Sequence, residues 1–273
     1  MLLRSTMMIK AIVSDLDGTL LNDHHTVGDY TQRVLNALTK EKGMKLILAS
    51  GRHWADVEMI RQKLNVEIFL ITSNGSRVHN REGQCIFRHD IPAPLVESLL
   101  QEQFSDNIKI NIYQDDNWWV TRPHPEILEF HKDSGFKYQI VAHEKLPTSN
   151  VAKLFWLGEH EELLALESRL KATHGDALSI AFSLPICLEV MAGGVSKGEA
   201  LKVVMDAKGL TSDQVVAFGD GLNDQQLLEV AGHGAIMANG SDELKRRLPG
   251  LPVIGSHVDE AVAHYLSEHF LSQ

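Results

Sequence analysis

Short apolar runs, each ending in polar residues, recur near both ends of the chain. Such runs are typical of buried strands in a parallel sheet. Segments with the apolar spacing of amphipathic helices lie between several of them, and this alternation predicts an α/β fold with helices on both faces of the sheet. The strand-like runs are 9–14, 45–49, 68–72, 215–218 and 235–237, and the helical patterns are 30–41, 54–64, 197–207 and 224–231.

The middle of the chain has a different pattern. Residues 78–87 predict a hairpin around 80–83, and residues 108–121 predict two strands around 115–117. The remaining patterns are helical at 94–103 and 161–172 and strand-like at 138–141, 153–157 and 188–191. We therefore expect a core formed by 1–82 and 190–273, with an α+β insert at 83–189.

The first segment with candidate chemistry is Asp15-Leu16-Asp17-Gly18-Thr19, directly after a predicted strand. In parallel α/β sheets, ligands bind beyond the carboxyl ends of the strands. One carboxylate can attack phosphorus while its neighbour protonates the leaving oxygen and later activates water. An ordinary Asp-Gly turn is the structural alternative. A calcium loop is disfavoured, because Thr26 stands where that loop requires Glu.

The second segment, Ser50-Gly51-Arg52-His53, also follows a predicted strand. A hydroxyl and free backbone amides at a helix start suit phosphate oxygens. Taken alone, the segment is better explained by an N-cap serine followed by a surface arginine.

The third segment is a glycine-containing stretch, 193–198, that holds Lys197 at the start of a predicted helix. It lacks the glycine-to-lysine spacing of a Walker A phosphate loop. Lys197 could neutralise an attacked phosphate, or it could be a solvated lysine on a helix face.

The fourth segment, 219–224, follows another predicted strand and contains Asp220, Asn223 and Asp224. Magnesium prefers hard oxygen ligands, so Asp15 with Asp220 would form a suitable site. An Asx turn with an N-cap is the structural alternative. Four such segments in this order and context argue against four independent structural explanations.

Together the four motifs resemble those of the haloacid dehalogenase superfamily. The insert between Ser50 and Lys197, together with Ser73-Asn74-Gly75, is similar to the Cof-type branch with a type IIB cap. The resemblance covers nearly the whole chain, and it implies a Rossmann-like core with a parallel sheet and an inserted α+β cap domain. Stretches 71–79 and 187–198 resemble bacterial sugar and pyridoxal phosphate phosphatases.

The resemblance also implies a role for each motif residue. Asp15 would be the nucleophile and a magnesium ligand, and Asp17 the acid/base whose backbone carbonyl also binds magnesium. Asp220 would complete the metal site, with Asp224 in its outer shell. The implied phosphate contacts are Leu16, Ser50, Gly51, Lys197 and Asn223. The candidate substrate contacts are Arg52, His53 and Asn74.

The function implied by the resemblance is a Mg²⁺-dependent phosphatase acting on small phosphorylated metabolites such as hexose phosphates and pyridoxal phosphate. The insert would be a mobile cap that selects the leaving group. A hexose phosphate mutase and a catalytically silent metabolite-binding module are the alternatives. Retention of both Asp15 and Asp17 argues against the silent module.

Composition and charge limit the classes of binding partner that we expect. With 44% hydrophobic and 23% charged residues, the 273-residue chain is typical of globular proteins. Its net charge of -10 argues against a general nucleic-acid binder. No apolar run approaches the ~20 residues of a membrane-spanning helix. We expect no membrane partner and a monomer or weak homodimer.

Two further expectations concern location and surface. The two cysteines, Cys85 and Cys187, suggest reduced thiols, and residues 1–10 read as a short tail without signal-peptide features, so we expect a cytoplasmic protein. The pair Asp115-Asp116 is expected to be a solvated turn.

Overall fold

The computed structural model describes residues 9–64 and 66–271, which form two β-sheets with flanking helices. Most of the predicted tail at 1–10 lies outside the described residues. Among those described, no helix combines the length and apolarity that crossing a bilayer requires.

The first sheet has seven strands in the order β13-β12-β1-β2-β3-β4-β5. Pairing is parallel from β13 to β3 and antiparallel where β4 and β5 extend the edge. The strands are β1 (Ala11–Ser14), β2 (Lys45–Ala49), β3 (Ile68–Thr72), β4 (Arg77–His79), β5 (Cys85–Arg88), β12 (Val215–Gly219) and β13 (His233–Ile236).

Helices cover both faces of this sheet, because its central strands are buried on both sides. On one face α1 (Asp29–Lys40), α2 (Trp54–Leu64) and α9 (Ala261–Leu266) pack against side chains such as Ile12 and Leu46. On the other, α6 (Lys197–Lys208) and α7 (Gln225–Val230) pack against Val13 and Ile47. Successive side chains of a strand point to opposite faces of the sheet, which explains the two separate apolar clusters.

The second sheet has six strands in the order β10-β11-β9-β6-β7-β8 and is antiparallel except for the β7–β8 pair. Its strands are β6 (Lys109–Gln114), β7 (Asn117–Val120), β8 (Tyr138–Ile140), β9 (Val151–Leu157), β10 (Leu178–Leu184) and β11 (Cys187–Ala192). Helices α3 (Ala93–Leu100) and α5 (His160–His174) pack on one face. The short helices α4 (Pro125–Leu128) and α8 (Asp242–Arg247) complete the described set.

The strand pairing bears on the predicted limits of the insert, 83–189. Strand β5 pairs with β4 in the first sheet, so the hairpin around 80–83 belongs entirely to that sheet. Strand β11 pairs with β10 over its whole length and with β9 over residues 187–190, so it belongs to the second sheet. We therefore propose that the cap runs from about residue 90 to 193. The limits differ because hairpin and edge pairing depends on partners that local patterning does not identify.

The predicted strands and helices named above are present with shifts of a few residues at their ends. Strand β10, which is only partly buried along most of its length, was not predicted. Its weak apolar pattern gives little signal, and its position is set by pairing with β11.

A buried histidine predicts how stability depends on pH. Neither ring nitrogen of His124 has a hydrogen-bond partner among the described residues, and burial lowers its pKa from 6.5 to about 4. Between these values the unfolded chain binds the proton and the folded chain does not, so stability falls as pH falls through this window. We predict that the free energy of unfolding of His124→Leu falls less steeply as the pH drops, by up to ~1.4 kcal/mol per pH unit.

Urea unfolding at pH 7 and pH 5 measures this difference. His143→Leu, at an exposed histidine, is the control and should keep the wild-type pH dependence. If stability depends on pH equally in His124→Leu and the wild type, His124 is not the source of this pH dependence.

Candidate active site

The first and fourth motifs meet at the carboxyl edge of the first sheet. Strands β1 and β12 are parallel neighbours with Ser14 opposite Phe218, so the residues that follow them are adjacent. Ligand oxygens of Asp15, Asp220 and Asp224 all lie within 4.8 Å of one another. The structure thus brings Asp15 together with Asp220 and Asp224, which lie some two hundred residues further along the chain.

Lys197 lies at the centre of this cluster. Its ammonium donates to Asp15 Oδ1 and to Asp224 Oδ1, each at 2.6 Å, and its side chain is fully buried. Ser196 caps the helix that Lys197 begins by accepting from the Glu199 amide at 3.0 Å. The solvated-lysine alternative is therefore wrong.

Asp224 is held from both sides. While Oδ1 accepts from Lys197, Oδ2 accepts from the backbone amides of Asp220 and Gly221 at 3.0 Å each. Both oxygens are thus already engaged, which fits an outer-shell position better than direct metal ligation. Asp220 Oδ1 accepts from the hydroxyl of Thr19 at 2.9 Å.

Gly18 permits the close approach of the two motifs. Its φ of +77° lies in the left-handed region, and a Cβ placed there would be 2.5 Å from Asp220 Oδ2. A larger side chain would therefore push the fourth motif away from the first. Glycine at position 18 therefore allows the chain to turn sharply as it leaves β1.

The cluster carries more negative charge than its single ammonium can neutralise. Burial raises the pKa of Asp15 well above its ordinary value despite the opposing effect of Lys197. Burial and the Asp224 carboxylate raise the pKa of Asp220 to about 6. Burial alone would lower the pKa of Lys197, but Asp15 and Asp224 raise it instead. A hard divalent cation would relieve this excess, so the donor set of Asp15 and Asp220 fits Mg²⁺.

Asp17 occupies a different environment two residues along the chain. Arg52 forms a two-pronged ion pair with its carboxylate, with Nε 2.7 Å from Oδ2, and His25 Nδ1 lies 3.4 Å from Oδ1. Burial would raise the pKa of Asp17, but the hydrogen bonds from His25 and Arg52 lower it overall. The two motif carboxylates thus have pKa values shifted in opposite directions.

The second motif is tied to the 73–75 turn. Ser50 Oγ accepts from the Arg52 amide at 3.1 Å, and the Ser50 carbonyl accepts from the Asn74 amide at 3.1 Å. Asn223 Nδ2 in turn donates to Asn74 Oδ1 at 3.2 Å. The predicted contacts Ser50, Asn74 and Asn223 therefore form one connected group. Leu16 begins the helical turn directly after Asp15.

His53 lies against the second sheet. Its Nε2 is 2.8 Å from the Asp115 carbonyl, and its ring stacks on Phe136 with centroids 4.1 Å apart. Asp116 accepts from the indole of Trp54 at 2.7 Å. Asp115 and Asp116 form an exposed turn, as predicted, and this turn also contacts the first sheet's loops through His53 and Trp54. A direct substrate contact by His53 stays a prediction.

Sequence reasoning missed Lys153 and Glu189. These buried residues form an ion pair of 2.5 Å on the second sheet and contact Gly51 and Asn74 of the first. The available signal was a charged residue inside each of the strand-like runs 153–157 and 188–191. Charges are rarely buried unless they are paired.

This chain is similar to a known protein family and to individual relatives over nearly its whole length. A family model described as haloacid dehalogenase-like hydrolase matches residues 12–266. A putative phosphatase of Haemophilus influenzae is 41% identical over 264 residues, covering 96% of this chain and 97% of the relative. An HMP-PP phosphatase of Escherichia coli is 38% identical over 264 residues, covering 97% and 96%.

Solved structures show the same fold. A haloacid dehalogenase-like hydrolase from Bacteroides thetaiotaomicron is 25% identical with a TM-score of 0.83, covering 96% of this chain and all of that one. A sugar phosphatase of haloacid dehalogenase subclass IIB is 22% identical with a TM-score of 0.81, covering 96% and 98%. The predicted fold class and enzyme class, a capped core and a phosphatase, are confirmed. This chain belongs to the haloacid dehalogenase-like hydrolases.

Proposed function

We propose that this protein is a Mg²⁺-dependent phosphatase that hydrolyses small phosphorylated metabolites through an aspartyl-phosphate on Asp15. The observation that carries the proposal is the buried cluster in which Lys197 lies between Asp15 and Asp224, with Asp220 alongside. A carboxylate enclosed in this way is shielded from water and faces positive charge, as a nucleophile for an anionic phosphate requires.

Asp15 is the nucleophile in this proposal. Its attack forms the bond to phosphorus as the leaving oxygen departs, and water later cleaves the acyl phosphate. Lys197 favours the ionised form of Asp15 and would hold a phosphate oxygen during both steps. Ser50, Asn223 and the backbone amides of Leu16 and Gly51 would bind the remaining phosphate oxygens.

Asp17 would give a proton to the leaving oxygen and then remove one from the attacking water. Arg52 and His25 favour its ionised form, so proton donation requires that these contacts be released. We propose that the substrate takes over Arg52 and thereby frees Asp17.

Asp15 and Asp220, with the backbone carbonyl of Asp17, would hold Mg²⁺, and Asp224 would orient the group from the outer shell. The bound cation would screen the negative charge between the carboxylate and the phosphate. The excess of carboxylates over ammonium groups in the cluster supports this assignment.

The proposed substrates are small phosphorylated metabolites, with hexose phosphates and pyridoxal phosphate as the expected classes. The Escherichia coli relative named HMP-PP phosphatase adds HMP-PP as a candidate. A phosphate-release screen across these compounds and nucleotides would identify the preferred class. Isomer exchange of hexose phosphates without phosphate release would instead indicate a mutase.

The free thiols Cys85 and Cys187 support our expectation of a cytoplasmic location.

We predict that Asp15→Asn lowers phosphate release by about 10⁴-fold or more, because an amide cannot attack phosphorus. The fold should persist, since the amide oxygen can still accept from Lys197. Steady-state phosphate release and thermal unfolding measure the two effects. Asp23→Asn, at a side chain 63% exposed in the same part of the chain, is the control and should retain full activity. Turnover in a folded Asp15→Asn protein would refute the nucleophile.

Asp17→Asn should lower kcat by ~100-fold to 10,000-fold, because it removes the proton-transfer group. Thermal unfolding should detect a folded protein, as Asp17 is only half-buried. A near-normal kcat would show that another group transfers the proton.

Chelation should abolish activity, and Mg²⁺ should restore it. Mg²⁺ should also raise the thermal unfolding midpoint of the wild type, because it binds only the folded cluster. Asp220→Asn should reduce that shift and raise the Mg²⁺ concentration needed for activity. Because the pKa of Asp220 is about 6 without metal, Mg²⁺ affinity should fall as the pH drops through this value. Full activity after exhaustive chelation would exclude the metal.

A further inference from the structure

A buried ion pair links the two sheets next to the proposed phosphate site. Lys153 on β9 and Glu189 on β11 lie on neighbouring strands, with side chains only 3% and 5% exposed. Their charged atoms are 2.5 Å apart. Burying two charges costs free energy that an apolar pair of similar volume would avoid, so burial alone is a weak explanation for their presence.

Both members of the pair also contact loops of the first sheet. Lys153 Nζ donates to the Gly51 carbonyl at 2.7 Å, and Glu189 Oε2 accepts from Asn74 Nδ2. A Cβ on Gly51 would lie 3.4 Å from Glu189 Oε2, so the carboxylate fits directly against the second motif. The pair therefore contacts both the 50–53 loop and the 73–75 turn.

Asn74 links Glu189 to the fourth motif through hydrogen bonds of its side-chain amide. Its backbone is fixed by a positive φ of 55° and by the 3.1 Å bond to the Ser50 carbonyl, which leaves the side-chain amide as the adjustable group. A carboxylate only accepts hydrogen bonds, so Glu189 requires Asn74 to present its NH₂. Asn74 must then present Oδ1 to Asn223, whose NH₂ donates to it at 3.2 Å.

Lys153 makes this arrangement compatible with an anionic substrate. An unpaired carboxylate beside the second motif would repel a phosphate, and the Lys153 ammonium cancels that charge. The ammonium also lies 5.0 Å from the Tyr113 ring and 4.9 Å from the Phe155 ring, which restricts where it can move.

We propose that Glu189, held by Lys153, is a positioning residue that fixes the side-chain amide of Asn74 and through it the phosphate-binding orientation of Asn223. The phosphate site is thereby complete only when the second sheet lies against the loops after β2 and β3. The proposal rests on the function proposed above, because it assigns Asn223 to phosphate.

The experiment compares Glu189→Gln and the double variant Lys153→Met/Glu189→Leu with the wild type. Inorganic phosphate binding in the presence of Mg²⁺ is measured by calorimetry, alongside kcat, KM and thermal unfolding. The glutamine side chain keeps the shape of Glu189 but can turn its own NH₂ towards Asn74. The double variant leaves no unpaired buried charge, so its unfolding midpoint should stay near that of the wild type.

Both variants should bind phosphate roughly tenfold more weakly and lose a similar factor in kcat/KM, because Asn74 can then turn over and misorient Asn223. The control is Lys109→Met/Glu126→Gln, which removes a cap ion pair of 2.8 Å in which Glu126 is 66% exposed. The control should leave phosphate binding unchanged. If Glu189 had a purely structural role, Glu189→Gln would leave phosphate binding unchanged as well.

Wild-type phosphate affinity in folded Glu189→Gln would overturn the proposal, whether or not the double variant folds. A wild-type chain that binds phosphate but releases none from any metabolite would instead overturn the proposed function. The variants' phosphate affinities would still decide the role of Glu189.

Discussion

The carboxylate cluster of the site depends on the buried ammonium of Lys197. Lys197 contacts Asp15 and Asp224 at 2.6 Å each, in a region that excludes water. Without it, three carboxylates could not remain close together in their ionised forms, since like charges at this separation repel strongly where the dielectric constant is low. The ion pairs thus hold the loops after β1 and β12 to the start of α6, and they determine where a phosphate and a cation can bind.

The two motif carboxylates illustrate how environment assigns roles. Asp15 is buried among other acids and has a raised pKa, whereas the Asp17 side chain is half-exposed and has a lowered pKa because of the hydrogen bonds from His25 and Arg52. Separate environments for two nearby acids are what nucleophilic attack and proton transfer require. The fold produces this difference over a single turn of chain, with Gly18 permitting the turn.

Polar contacts join the second sheet to the site. The Lys153–Glu189 pair meets Gly51 and Asn74, and the Asp115 carbonyl meets His53. The ring of His53 also stacks on Phe136, so the boundary combines polar and aromatic contacts. If the second sheet acts as the mobile cap that we expect, these contacts would break when the site opens to admit a substrate.

The sequence by itself determined the four motifs, the α/β alternation and the family, because each motif directly follows a buried strand and local spacing records that placement. The tertiary structure decided which charged residues meet. The Asn74–Glu189 hydrogen bond joins residues 115 positions apart, and His53 meets Asp115 across 62 positions. Isolated polar residues in strand-like or turn-like segments carry no local sign of their partners. The sheets to which β5 and β11 belong, and the ion pair of Lys153 with Glu189, are therefore visible only in the folded chain.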